Sequence, residues 1–156
     1  MVSILSILSI LNKSPPVSFT NPTNSLSLLF NSGILLIYDL LIKNADGGIA
    51  TFKSTHPKWS YAKINSNNLV SEVAEKKPIS DVATVGIYYW KKGLDFVKYA
   101  EKMIEKNIRV NNEFYICPVF NEAIEDEKNI YAIPVKTMWG LGTPEDLQMY
   151  LGLFND

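Results

Sequence analysis

From Asp46 onward, hydrophobic and polar positions follow two regular rhythms. "GGIATFKS" reads as a strand over Gly48 to Lys53, and "SYAKIN" as a second over Ser60 to Asn65. The "NSNN" that follows has turn composition. "LVSEVAEK" then returns as a third strand, closing a hairpin. Pro78 breaks that run. "ATVGIYYW", Ala83 to Trp90, is dense in β-branched and aromatic residues and predicts a fourth strand. The rhythm then becomes helical. In "GLDFVKYAEKMIEKN", Phe96, Val97, Ala100, Met103 and Ile104 are expected on one face. Lys98, Glu101, Lys102 and Glu105 are expected on a solvated face opposite. "EFYICPVFNEAIED" starts extended, and Pro118 opens a second, short helix. "NIYAIPVK" predicts a strand over Ile130 to Lys136, and the last segment is helical. The order β-β-β-β-α-α-β-α predicts a mixed α/β sheet with helices against it.

The ends of the chain read differently. Residues 1–43 form a poorly defined N-terminal segment, set apart from residues 44–156. "SILSILSIL" repeats every third residue, which fits neither helix nor strand, and its apolar stretch is about half the roughly 20 residues that span a bilayer. It lacks the basic start and small-residue cleavage site of a secretory leader. "GILLIYDLLIK", Gly33 to Lys43, is a candidate buried strand or helix. Near the other end, "MWGLGTPEDL" sets Thr143 before Pro144, Glu145 and Asp146. A hydroxyl cap, a first-turn proline and two first-turn acids announce a helix. Those same acids argue against a phosphate cradle, which wants unopposed amides.

Charge and composition narrow the function. Among 156 residues, 15 basic and 16 acidic side chains leave a net charge of −1. A nucleic-acid or anionic-membrane surface would carry a basic excess, so neither is expected as the main partner. Cys117 is the single cysteine, which rules out an intrachain disulfide and suits a reducing, cytoplasmic compartment. Its apolar setting in "FYICPVF" predicts a buried, inert thiol. His56 is the single histidine, and no HxxxH, CxxC or HExxH spacing marks a metal site. No GxxxxGK[ST] or GxGxxG loop occurs.

Three stretches carry candidate chemistry. Glu75, Lys76 and Lys77 stand at a strand's end before the turn that Pro78 forces. A carboxylate there can accept paired sugar hydroxyls, and an ammonium can pair with a phosphate. A solvated charged turn is the structural alternative. Gly86 interrupts a strong strand, which suggests close approach by a ligand or another backbone. Glu113 lies beside aromatics, either at a site or as an exposed strand-edge acid.

The ordered set "ADGGIATF", "HPKWSYAKI", "VAEKKPISDVATVGIYYW", "NEFYICPVFNEAI" and "MWGLGTPEDL" resembles the second half of sugar-phosphate nucleotidyltransferases. Within them it is most similar to glucose-1-phosphate thymidylyltransferase-like proteins of capsule and surface polysaccharides. The match covers about residues 44–152. The resemblance implies a Rossmann-like, GT-A-like nucleotide-sugar fold whose N-terminal half is missing or degraded here. It implies a reaction of a sugar 1-phosphate with a nucleoside triphosphate, assisted by Mg²⁺, giving a nucleotide sugar and pyrophosphate. It assigns the sugar-phosphate site to Glu75 and Lys76, with Lys77 as substitute, together with Gly86, Tyr88 and Glu113. The glycine-rich triphosphate loop and metal-binding aspartate of such proteins are not recognisable in residues 1–45. Gly140 and Leu141 stand where a metal carboxylate often precedes the "GT". An enzyme of nucleotide-sugar synthesis, a non-catalytic remnant keeping a sugar-phosphate pocket or an interaction surface, and a nucleotide-sugar glycosyltransferase domain all remain open. The last should carry an Asp-x-Asp motif, and none occurs. The exposed apolar surface of a half-domain makes a homo-oligomer a further expectation.

Overall fold

A computed structural model describes residues 39–152. The SIL repeat and most of Gly33 to Lys43 lie outside the described residues. Residues 39–138 form one compact unit, and residues 139–152 are described by themselves.

The element order follows the sequence pattern. Strands β1 (Gly47–Lys53), β2 (Tyr61–Ile64), β3 (Val70–Ala74) and β4 (Val82–Trp90) precede helices α1 (Gly93–Glu105) and α2 (Val119–Glu125). Strand β5 (Ile130–Pro134) and helix α3 (Pro144–Gly152) follow. The five strands form one mixed sheet in the order β3-β2-β4-β1-β5. Only β1 and β5 run parallel; the other neighbours are antiparallel. The fold class is therefore α/β, as the pattern predicts.

Helices α1 and α2 pack against the sheet. Ile49, Val73, Tyr99, Met103, Phe120, Ala123 and Ile130 meet in the core. Trp90 stacks on Phe120 with centroids 4.4 Å apart. The helical turn of residues 39–42 packs Leu40 on the sheet. Leu40 lies so close that a Cβ on Gly48 would stand 2.6 Å from its Cδ1. A side chain there would force the Leu40 side chain to shift.

Two devices tie down strand edges. Asn121 of α2 accepts from the Val73 amide at 2.8 Å and donates to the Val73 carbonyl at 2.9 Å. One side-chain amide thus stands in for a missing strand beside β3. At the opposite edge, the turn of the β2–β3 hairpin reaches over to β5, where the Ala132 amide donates to the Asn68 carbonyl at 2.8 Å. Exposed strand edges are thereby occupied.

Several expectations need correction. The third strand ends at Ala74, short of Lys76, because Lys76 has a left-handed backbone (φ 53°) that cannot extend a ladder. The buried face of α1 is rotated from the expected one. Tyr99 and Met103 are buried, whereas Val97 and Ile104 are 47% and 50% exposed. The large Tyr99 ring claims the contact with Trp90 and turns the helix accordingly. Nor are the α1 lysines a purely solvated face. Lys98 and Lys102 pair with Asp126, and Lys102 and Lys106 reach the buried Glu122 at 3.5 and 2.8 Å.

Outside this unit, α3 begins as the sequence predicts. The Asp146 amide donates to Thr143 Oγ1 at 3.2 Å, and Glu145 and Asp146 occupy the first turn.

Candidate functional site

Four of the five candidate residues come together, and the hairpin register explains the first contact. Tyr61 pairs with Ala74. One step further along the same register sets Ser60 against Glu75, and the Ser60 hydroxyl donates to Glu75 Oε2. Ser60 is held in turn by β4, whose Thr84 amide donates to the Ser60 carbonyl at 2.8 Å. Tyr88 shares the neighbourhood: its hydroxyl lies 3.1 Å from Thr84 Oγ1. Burial, with the nearby charges of Cys117 and Glu75, raises the Tyr88 phenol well above its ordinary value.

Lys76 directs its ammonium elsewhere. Nζ donates to the Tyr115 hydroxyl at 2.6 Å, and that hydroxyl donates to Glu113 Oε2 at 2.5 Å. The bond to Tyr115 raises the Lys76 pKa, with the charges of Glu75 and Glu113 acting in the same direction. Glu113 owes its place to a tight turn. The Val110 and Glu113 backbones exchange both hydrogen bonds at 3.0 Å, and Asn111 and Asn112 between them have φ of 50° and 63°. That is the two-residue turn that asparagine tolerates best after glycine.

Gly86 is exposed, at φ +86°, where β4 bulges against β1. A Cβ there would meet nothing within 4 Å. No other backbone approaches Gly86 closely, contrary to that part of the expectation, and its backbone angle itself favours glycine. Lys76 and Lys77 are both exposed, and of the two it is Lys76 that bonds to Tyr115.

Sequence reasoning missed Ser60 and Tyr115. Tyr115 lies two residues from Glu113 in an extended stretch, so the period of two already placed them on one side. Ser60 needed the hairpin register. Cys117 is buried and inert as expected; burial next to Glu75 pushes its thiol up to about 12. His56 serves the loop, its Nδ1 accepting from the Lys58 amide at 3.2 Å and its carbonyl accepting from the Tyr61 hydroxyl at 2.6 Å.

Among the described residues no three His, Cys, Asp or Glu side chains gather to hold a metal ion. Glu75 and Glu113 each accept one hydrogen bond, from Ser60 and Tyr115. A concavity of about 310 Å³ lies elsewhere in the same unit, lined by Thr51, Ile64, Asn68, Val82, Ala132 and Pro134 among others. It is mostly apolar, and none of the candidate residues lines it.

Fold and site together define a mixed α/β protein with one lysine set among carboxylates and hydroxyls. Among solved structures, its fold is similar to those of nucleotide-sugar nucleotidyltransferases. A nucleoside-diphosphate-sugar pyrophosphorylase from Vibrio cholerae RC9 matches with TM-score 0.64 and 26% identity, over 72% of this chain and 48% of that one. A Bacillus anthracis protein assigned as a glucose-1-phosphate thymidylyltransferase, in complex with a sucrose, matches with TM-score 0.55 and 18% identity, over 77% and 48%. A CMP:2-keto-3-deoxy-manno-octonic acid synthetase complexed with CTP matches with TM-score 0.51 and 15% identity, over 76% and 53%. The chain thus spans about half the length of the structures it matches. No protein-family model matches it, and no curated protein does. No helix among the described residues is long and apolar enough to cross a membrane.

Proposed function

We propose that this chain is a nucleotidyltransferase-like protein of nucleotide-sugar synthesis and that its Glu75–Lys76 site binds a sugar 1-phosphate. One observation carries the reading: Lys76 and Glu113, brought from separate segments, share the Tyr115 hydroxyl beside Glu75. An ammonium flanked by two carboxylates suits a ligand with one phosphate and several hydroxyls. Lys76 would take the phosphate, Glu75 and Glu113 the hydroxyls. The backbone at Gly86 would admit the sugar ring, and Tyr88 would help hold the Ser60–Glu75 side of the site.

In the full reaction a phosphate oxygen of the sugar 1-phosphate attacks the α-phosphorus of a nucleoside triphosphate. A new P–O bond forms, the bond to the β-phosphate breaks, and pyrophosphate leaves. Such transfer depends on positioning and on cations that neutralise the triphosphate. A second reading is a sugar-phosphate-binding protein without transfer activity, which the Glu75–Lys76 site alone would serve. The cytoplasm, where sugar phosphates are made, suits either reading, as does the free buried thiol of Cys117.

Two measurements test this. Calorimetry with glucose 1-phosphate should show binding that Lys76→Ala abolishes; equal binding by both forms would reject the site. Pyrophosphate release from each nucleoside triphosphate with sugar 1-phosphate and Mg²⁺ decides between the readings. Release that depends on the sugar phosphate supports the enzyme, and release no higher than the blank supports binding alone.

A further inference from the structure

Lys76 has an unusual backbone for its residue type. Seven described non-glycine residues have positive φ, and five of them are asparagine; Lys76 and Glu127 are the others. A lysine held in the left-handed region is strained, and such strain persists where surrounding contacts over-determine it. At Lys76 the contact is Tyr115. The ammonium donates to the phenol oxygen at 2.6 Å and lies 4.7 Å from the centre of the ring.

The order of partners matters. Among the described residues no carboxylate lies within 4.0 Å of Lys76 Nζ, whereas Lys98, Lys102 and Lys106 are each paired directly with acids. A directly paired lysine must give up its partner to receive an anion. Lys76 is bound to a neutral hydroxyl instead and keeps its charge available. Three ammonium protons less one leave two for a ligand. The phenol is itself fixed, because its proton goes to Glu113, and the Asn111–Asn112 turn fixes Glu113. Tyr115 is half-buried, so its ring has little freedom to lose when a ligand arrives.

We propose that Tyr115 is the positioning residue for Lys76, holding its ammonium as a fixed, directly unpaired anion-binding point for the phosphate of a sugar 1-phosphate. The choice of ligand rests on the function proposed above; the positioning does not. Tyr115 acts through Lys76 and need not touch the ligand.

The test compares full-length wild type, Tyr115→Phe, Glu113→Gln and Lys76→Ala. Lysine reactivity toward acetic anhydride is read peptide by peptide by mass spectrometry without ligand. Glucose 1-phosphate and inorganic phosphate binding are measured by calorimetry. In Tyr115→Phe, Lys76 should react several-fold faster while Lys53 and Lys63 are unchanged, and glucose 1-phosphate binding should weaken about tenfold, the effect of one lost bond to a charged group. Glu113→Gln should fall between, since the phenol remains but its orientation is loosened. Unchanged Lys76 reactivity in Tyr115→Phe overturns the proposal whatever the binding shows. Faster Lys76 reaction, with wild type and Lys76→Ala binding alike, upholds the positioning and removes the sugar phosphate as ligand. Weakening of inorganic phosphate binding by the same factor in Tyr115→Phe would show that the held group is the phosphate, as proposed; weakening of glucose 1-phosphate binding with inorganic phosphate binding unchanged would contradict it.

Discussion

At the scale of single residues, Lys76 is where backbone and chemistry conflict. Its left-handed φ favours glycine, yet its side chain makes the central bond of the site. Lys76→Gly should therefore melt a few degrees above Lys76→Ala, while neither binds sugar phosphate. Equal melting temperatures would show that the turn stores no strain. Gly48 presents the opposite case, a position where any side chain must displace that of Leu40. Gly48→Ala should lower stability by about 1–3 kcal/mol in urea unfolding, as overpacking does. The candidate residues Glu75, Lys76 and Glu113 were legible because charged residues beside turns and aromatics are conspicuous. The partners Ser60 and Tyr115 were not, because neutral hydroxyls carry no signal until a fold sets them against a charge.

At the scale of elements, Asn121 and the α1–α2 ion pairs make separable predictions. Asn121→Ala strands the amide and carbonyl of Val73 at a sheet edge, and should lower stability by about 2 kcal/mol, two hydrogen bonds' worth. The denaturant slope should stay unchanged, since the surface exposed on unfolding is nearly the same. Between the helices, the hydrogen bonds from Lys98 and then Lys102 hold the Asp126 carboxyl at about 2, below its ordinary 3.8. A carboxyl with a lowered folded-state pKa stabilises fully above its unfolded value and loses that contribution as pH falls through the folded one. Stability should thus drop between pH 4 and pH 2, and Asp126→Asn should flatten part of that fall. Lys98 and Asp126 are exposed, so the effect should shrink in high salt. A slope identical in the variant would assign the acid sensitivity elsewhere. The strands and helices themselves were readable from periodicity, but the rotation of α1 was not. Tyr99 outweighed Val97 and Ile104 because the aromatic cluster around Trp90 offered it more contact.

At the scale of the whole molecule, residues 39–138 form a five-stranded mixed sheet with α1 and α2 packed against it, a fold similar to about half of a nucleotide-sugar nucleotidyltransferase. The pyrophosphate measurement belongs to this scale, since transfer needs a triphosphate site as well as a sugar-phosphate site. The sequence by itself determined the element order, the α/β class, the capped start of α3, the inert thiol and the charged turn at Glu75 and Lys76. These follow from local causes: side-chain periodicity, capping chemistry, and residues with few conformations to choose from. Only the tertiary structure decided strand order, the use of Asn121 as a substitute strand, and the chain of bonds from Lys76 through Tyr115 to Glu113. Asn121 and Val73 stand 48 positions apart, and Lys76 and Tyr115 stand 39 apart. Local propensity does not reach across such a separation; a register and a packed core have to bring the groups to within a few ångströms first.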